Sequence, residues 1–257
     1  MQKITHLGVF AHADDTEDAA YHGILECFNS DEKNFMAVIV TDGGGCPREN
    51  EYKTTTREEM IEIRKLEQEG AAKIGRYAGL VQLGLTSDSV KDKNNTDVVK
   101  RLTKILAETK PETVYTHNLA DKHPTHVAVA LRLITAIRNL QQKDRPKRLL
   151  GCEGWRGLGW LDEGDKVILD VGGNDALAEQ LLGAFPSQQA FFNLAGGTIA
   201  RRIANASSLT THSAQTTYQC TFAMDLTPLI LDDTLDIKKF VKAHLDKFSD
   251  SVSSLLD

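Results

Sequence analysis

A chain of 257 residues with 41% hydrophobic side chains suffices for one large α/β domain or two small ones around a sizeable core. Its 30 basic and 36 acidic residues leave a net charge of −6 with no long single-sign run. That pattern excludes the electrostatic footprint of a nucleic-acid or anionic-membrane binder and favours small-molecule or protein partners.

The early apolar run around Leu7, Val9 and Phe10 is too short for a signal-peptide core, and no stretch reaches membrane-spanning length. Cys27, Cys46, Cys152 and Cys220 are scattered without a CxxC pair. Reduced thiols and a cytoplasmic setting are therefore expected, rather than a disulfide framework or a Cys-based zinc site.

In chain order, the runs "ITHLGVFA", "FMAVIVT", "GLVQLGL" and "ETVYTH" read as strands. They alternate with helix-period segments over 17–29, 57–75, 97–109 and 126–142. Thr residues and glutamates in "TTTREEM" start the second helix, Gly75 closes it, and Pro111 marks the restart after the third. Segment 143–186 predicts one or two short strands around a glycine-rich loop, then a helix from about Asn174. A helix over 188–206, a strand over 217–224 and a terminal amphipathic helix at about 235–256 follow, the last with Phe240, Leu245 and Phe248 on one side. This alternation predicts a single three-layer, Rossmann-like α/β domain over 1–257 with a mostly parallel sheet.

Ligands of such sheets bind beyond the carboxyl ends of strands, where strand order reverses. Three polar clusters follow apolar runs. In "AHADD", His12, Asp14 and Asp15 end the first strand; the carboxylates alone are equally explained as helix caps, but His12 is not. In "THNLADKHPTH", His117, Asp121, His123 and His126 follow the fourth strand, and Pro124 suits the first turn of a helix. Imidazoles plus one carboxylate with open positions match catalytic zinc, with iron, manganese or cobalt as alternatives. The third cluster, "TDGGGCPREN", lacks the spacing of a phosphate-binding loop and reads as a flexible pocket wall.

With AHADD after the first strand and HPTH after the fourth, the chain resembles the PIG-L/LmbE-like zinc-dependent N-acetylglucosamine de-N-acetylases. The resemblance extends to "TDG" at 41–43, "IRKLEQEGAAKIG" at 63–75, and Ser187 with Gln188, about three quarters of the chain. It implies that His12, Asp15 and His126 ligate one zinc ion, that Asp14 is the general base, and that His123 stabilises the oxyanion and protonates the leaving amine. It also places Arg64 and Glu17 near the substrate; Asp121, just ahead of HPTH, is a further carboxylate expected to compensate at His123 for the aspartate that Thr125 replaces. The family usually reads HPDH; here Thr125 stands where an aspartate commonly orients the catalytic histidine, so the imidazolium form of His123 is less favoured.

The resemblance thus implies removal of an acetyl group from an N-acetylated amino sugar or its conjugate, with zinc activating a water and Asp14 taking its proton. Two alternatives remain open at this level: an amidase for a thiol-conjugate or non-sugar amide, and a non-catalytic nucleotide- or sugar-binding module. Trp155, Arg156 and Trp160 are candidates for stacking on a sugar ring, and the aglycone is expected against loops 42–56, 85–95 and 154–165. Self-association is left open.

Overall fold

The computed structural model describes residues 3–209 and 214–256. The strands β1 (His6–Phe10) and β2 (Phe35–Thr41) are buried at every position, as expected of parallel strands covered on both faces. They join β3 (Gly79–Leu85), β4 (Thr113–His117), β5 (Arg148–Cys152), β6 (Lys166–Asp170) and β7 (Cys220–Asp225) in one sheet of order β3-β2-β1-β4-β5-β7-β6. The first five are mutually parallel, whereas β7 runs antiparallel to both of its neighbours.

The helices are α1 (Asp15–Ala19), α2 (Tyr21–Phe28), α3 (Arg57–Ile74), α4 (Ser87–Lys91), α5 (Asp97–Thr109), α6 (Pro124–Arg138), α7 (Asp175–Gly183), α8 (Pro186–Gln189), α9 (Leu194–Ser207), α10 (Thr227–Leu231) and α11 (Ile237–Ser253). Strand side chains alternate between two cores, one for each sheet face. Leu7, Val9 and Val38 pack with Val98, Leu102 and Leu106 of α5 and Leu133 and Ile137 of α6. Phe10, Phe35 and Ala37 pack with Tyr21 and Ile24 of α2, Ala71 of α3 and Leu181 of α7. The result is the expected helix–sheet–helix sandwich.

Several elements depart from the sequence expectation for identifiable reasons. The helix expected over 17–29 is broken at Ala20, because Arg202 donates to the carbonyls of Glu17 and Asp18 that a continuous helix would use itself. The helix expected over 188–206 is two, α8 and α9, with Asn193 capping the second through the Gly196 N–H. The fourth helix starts at Pro124 and stops at Arg138. In α11, Phe240 packs against the core, whereas Leu245 and Phe248 are 47% and 41% exposed, so the three do not share one buried side.

Candidate active site

Because β1 lies between β2 and β4, chain connections leave it toward both flanks, and its carboxyl end opens a crevice shared with β4. The AHADD and HPTH clusters meet there. Ala11 is pinned from both sides: its N–H donates to His117 Nε2 on β4 at 2.9 Å, and its carbonyl accepts the Thr41 N–H and hydroxyl on β2, each at 2.8 Å. His12 is thus presented from a rigid strand end.

Donor atoms of His12, Asp15 and His126 converge. His12 Nδ1 lies 3.1 Å from Asp15 Oδ2 and 3.2 Å from His126 Nε2, and Asp15 Oδ1 lies 3.5 Å from His126 Nε2. Two groupings of the kind that hold a cation share His126: one adds His12 and His123, the other Asp15 and His117. Burial favours the neutral Asp15 carboxyl, but the imidazoles of His126, His117 and His12 outweigh it and hold the acid well below the usual carboxylate range. His117 stacks on His126 with centroids 3.8 Å apart and is driven well below its ordinary pKa, first by burial and then by His126. Among the described residues, buried Nδ1 atoms of His117 and His123 lack hydrogen-bond partners, and this convergence of imidazole nitrogens on one carboxylate fits a divalent transition metal.

Asp14 is held off this cluster. It occupies the N-cap position of α1 but makes no capping bond, and its φ of 90° is a conformation that costs a non-glycine residue about 1–3 kcal/mol and concentrates at functional sites. Its Oδ1 accepts a hydrogen bond from Arg64 Nη2 at 3.1 Å, and the same nitrogen donates to the Ala13 carbonyl. Burial pushes the Asp14 carboxyl up, opposed by Arg64. Arg64 itself is only 3% exposed and rests on Gly43, whose φ is +69° and whose position leaves no room for a Cβ. "TDG" and "IRK", apart in sequence, therefore act together to seat Asp14.

Asp121 serves His126 rather than the ring of His123. Its Oδ1 accepts the His123 backbone N–H at 2.8 Å and lies 3.6 Å from His126 Nδ1, an orienting carboxylate behind an imidazole. The His123 imidazole is lowered to about 4, by burial first and then by His126 and His12. Among the described residues its Nδ1 has no partner, and Thr125 is buried without a hydrogen bond to it. Glu17 is fully buried below the site, accepting from Gln68 Nε2 at 2.8 Å and the Tyr77 hydroxyl at 2.7 Å, so it does not reach the cavity. Ser187 donates its N–H and hydroxyl to Glu67 of α3 at 2.7 and 2.6 Å, tying α8 to the helix that carries Arg64.

A cavity of about 270 Å³ opens on the cluster, lined by Asp14, Asp15, His117 and His126. Asp18, Trp155, Phe192, Asn193, Thr198 and Arg201 also line it. His12 and His123 are half-buried and lie outside this lining. Of the loops expected to meet the aglycone, only the one holding Gly154 and Trp155 reaches the cavity, and Trp160 packs toward Phe248 of α11 instead. The wall from α9 was not foreseen. Its signal was the polar stripe Thr198, Arg201, Arg202, Asn205 at helical spacing, which reads as solvated until the fold buries it.

Comparison with known proteins is consistent with this geometry. No curated protein matches the chain. Among solved structures, the conserved protein TT1542 from Thermus thermophilus has a TM-score of 0.67 at 17% identity, covering 91% of this chain and 99% of that one. The 4-carboxy-2-hydroxymuconate hydratase GalB from Pseudomonas putida KT2440 has a TM-score of 0.66 at 15% identity, over 87% and 96%. The N,N'-diacetylchitobiose deacetylase from Pyrococcus horikoshii has a TM-score of 0.64 at 16% identity, over 91% and 88%. These likenesses establish a shared fold, on which both hydrolysis and hydration occur. The model of the PIG-L family, GlcNAc-PI de-N-acetylase, matches residues 7–137, which contain β1, β4 and both histidine–aspartate clusters, and the chain belongs to that family.

Proposed function

We propose that the chain is a metal-dependent N-deacetylase acting on an N-acetylated amino sugar or its conjugate. The observation that carries this reading is the convergence of His12 Nδ1, Asp15 Oδ2 and His126 Nε2 beside a cavity into which a separate carboxylate, Asp14, also faces. Family membership supports the reaction class. The fold alone does not, since a hydratase shares it.

Hydrolysis of an amide needs an activated water, a stabilised oxyanion and a proton for the departing nitrogen. His12, Asp15 and His126 are the residues to hold a divalent ion, with zinc the family's choice, and such an ion supplies Lewis acidity and an acidified water. Asp14 is the base: Arg64 occupies its Oδ1, which leaves Oδ2 for the proton of the attacking water. Having accepted that proton, the same carboxyl passes it to the departing amine, a role that the family resemblance implies for His123, whose imidazole is held low, at about 4. His123, neutral by its surroundings, offers an N–H to the developing oxyanion without a carboxylate behind its ring. Asp121 orients His126, and Arg64 orients Asp14.

The test is acetate and amine release from a panel of N-acetylglucosamine conjugates, using metal-loaded protein, metal-stripped protein and Asp14→Ala. Release that needs both metal and Asp14 supports the reading. A fully loaded Asp14→Ala protein working at the parental rate would remove Asp14 from its role, and silence across the panel would move the search to other amides.

A further inference from the structure

The wall of the cavity, beside the donor cluster, holds a charged pair that the deacetylation chemistry does not use. Asp18 is one helical turn beyond Asp14 and Asp15, so α1 presents all three carboxylates to the same cavity. Asp18 Oδ1 accepts from the Thr198 hydroxyl at 2.7 Å and from Arg201 Nη2. Arg201 Nη1 donates to the Gly154 carbonyl at 2.9 Å, and among the described residues its buried Nε has no hydrogen-bond partner, lying 3.9 Å from Glu153 Oε1. Among the described residues no group donates to Asp18 Oδ2. The pair is thus fixed by three elements, α1, α9 and the loop after β5, yet one carboxylate oxygen stays unengaged in the cavity wall.

We propose that Asp18 and Arg201 form the hydroxyl-recognition subsite of this enzyme and restrict it to amides borne on a polyhydroxylated ring. This rests on the proposed deacetylase function. Adjacent ring hydroxyls donate and accept at once, and a carboxylate beside a guanidinium offers the complementary acceptor and donor. Holding such a pair in place is costly unless it is satisfied, so an analogue lacking the hydroxyl leaves a desolvated charge unanswered and is rejected. A flat apolar face completes the match: Trp155, 49% exposed, lines the same cavity with Phe192 at a centroid distance of 5.7 Å.

Calorimetric titration of the full chain with N-acetylglucosamine and its 3-deoxy and 4-deoxy analogues tests this without requiring turnover. Asp18→Asn is expected to weaken N-acetylglucosamine binding by about 10- to 100-fold, the range for a hydrogen bond to a charged group. One of the deoxy sugars should bind parent and variant alike, because the bond that the variant loses is absent there. Thr198→Val, which removes only one support of Asp18, is expected to lose a few-fold, and Asp18→Glu guards against a variant that fails to fold. Equal loss for all three sugars, or parental binding by Asp18→Asn, overturns the proposal, as does a parent protein that binds none of them. Sugar binding that depends on Asp18 with no acetate released from any conjugate would instead retire the deacetylase reading alone. Acetate release with an unchanged KM in Asp18→Asn would retire the subsite alone.

Discussion

Arg64 Nη2 bridges the Asp14 carboxylate at 3.1 Å and the carbonyl of the preceding residue, Ala13, so one guanidinium fixes both the charge and the backbone of the proposed base. Both side chains are largely buried. Removing one partner of such a pair strands the other, and Arg64→Met is expected to cost about 3–5 kcal/mol in denaturant unfolding. Arg64→Lys, which keeps the charge but not the fork, should lose less stability and still lower kcat. An Arg64→Met protein as stable as the parent would show that the pair does not hold Asp14.

Gly43 supports that arrangement from behind. A Cβ there would lie 2.8 Å from Arg64 Nε, and the φ of +69° is unfavourable for any other residue. Gly43→Ala should therefore destabilise by roughly 1–2 kcal/mol and reduce activity by displacing Arg64. Gly45→Ala, where an added methyl meets nothing within 4 Å, is the control expected to leave both unchanged.

Metal addition should stabilise the chain by mass action, because the donors are assembled only in the folded state. At a free ion concentration of 100 times Kd the gain is about 2.7 kcal/mol, seen as a rise in Tm over chelator-treated protein. His126→Ala, which removes the imidazole common to both donor groupings, should abolish the rise. An undiminished zinc-dependent shift in a His12→Ala/His126→Ala double variant would sink the ligand assignment.

Glu17 offers a test by pH. Burial raises its carboxyl to about 7, against the bonds from Tyr77 and Gln68 that lower it. The folded pKa lies above the unfolded one, so the associated stability is complete below about pH 4.5 and is lost as pH rises through about 7. Glu17→Gln keeps the bonds without the charge. The unfolding free energy of the parent should fall relative to this variant between those limits, and parallel pH profiles would show that Glu17 is not the titrating group.

Much of this molecule is legible in one dimension. Continuous apolar runs at β1 and β2 and the Val98, Leu102, Leu106 stripe of α5 are local patterns, and each can be buried in only one way, as parallel strands and a sheet-facing helix. AHADD and HPTH are legible for a related reason: charge directly after a buried strand is expensive unless it has a use. Tertiary structure decided which of those charges act together. Glu17 and Asp18 are neighbours in sequence, but the helix turns one under the site, to Gln68 and Tyr77, and the other into the cavity, to Thr198 and Arg201. Asp121 faces the His126 ring rather than that of His123, and one wall of the cavity comes from α9, about 180 residues after α1 in the chain. Such pairings depend on which strand lies beside which and on how each helix is rotated upon the sheet. Those are properties of packing between elements, and no local pattern of residues encodes them.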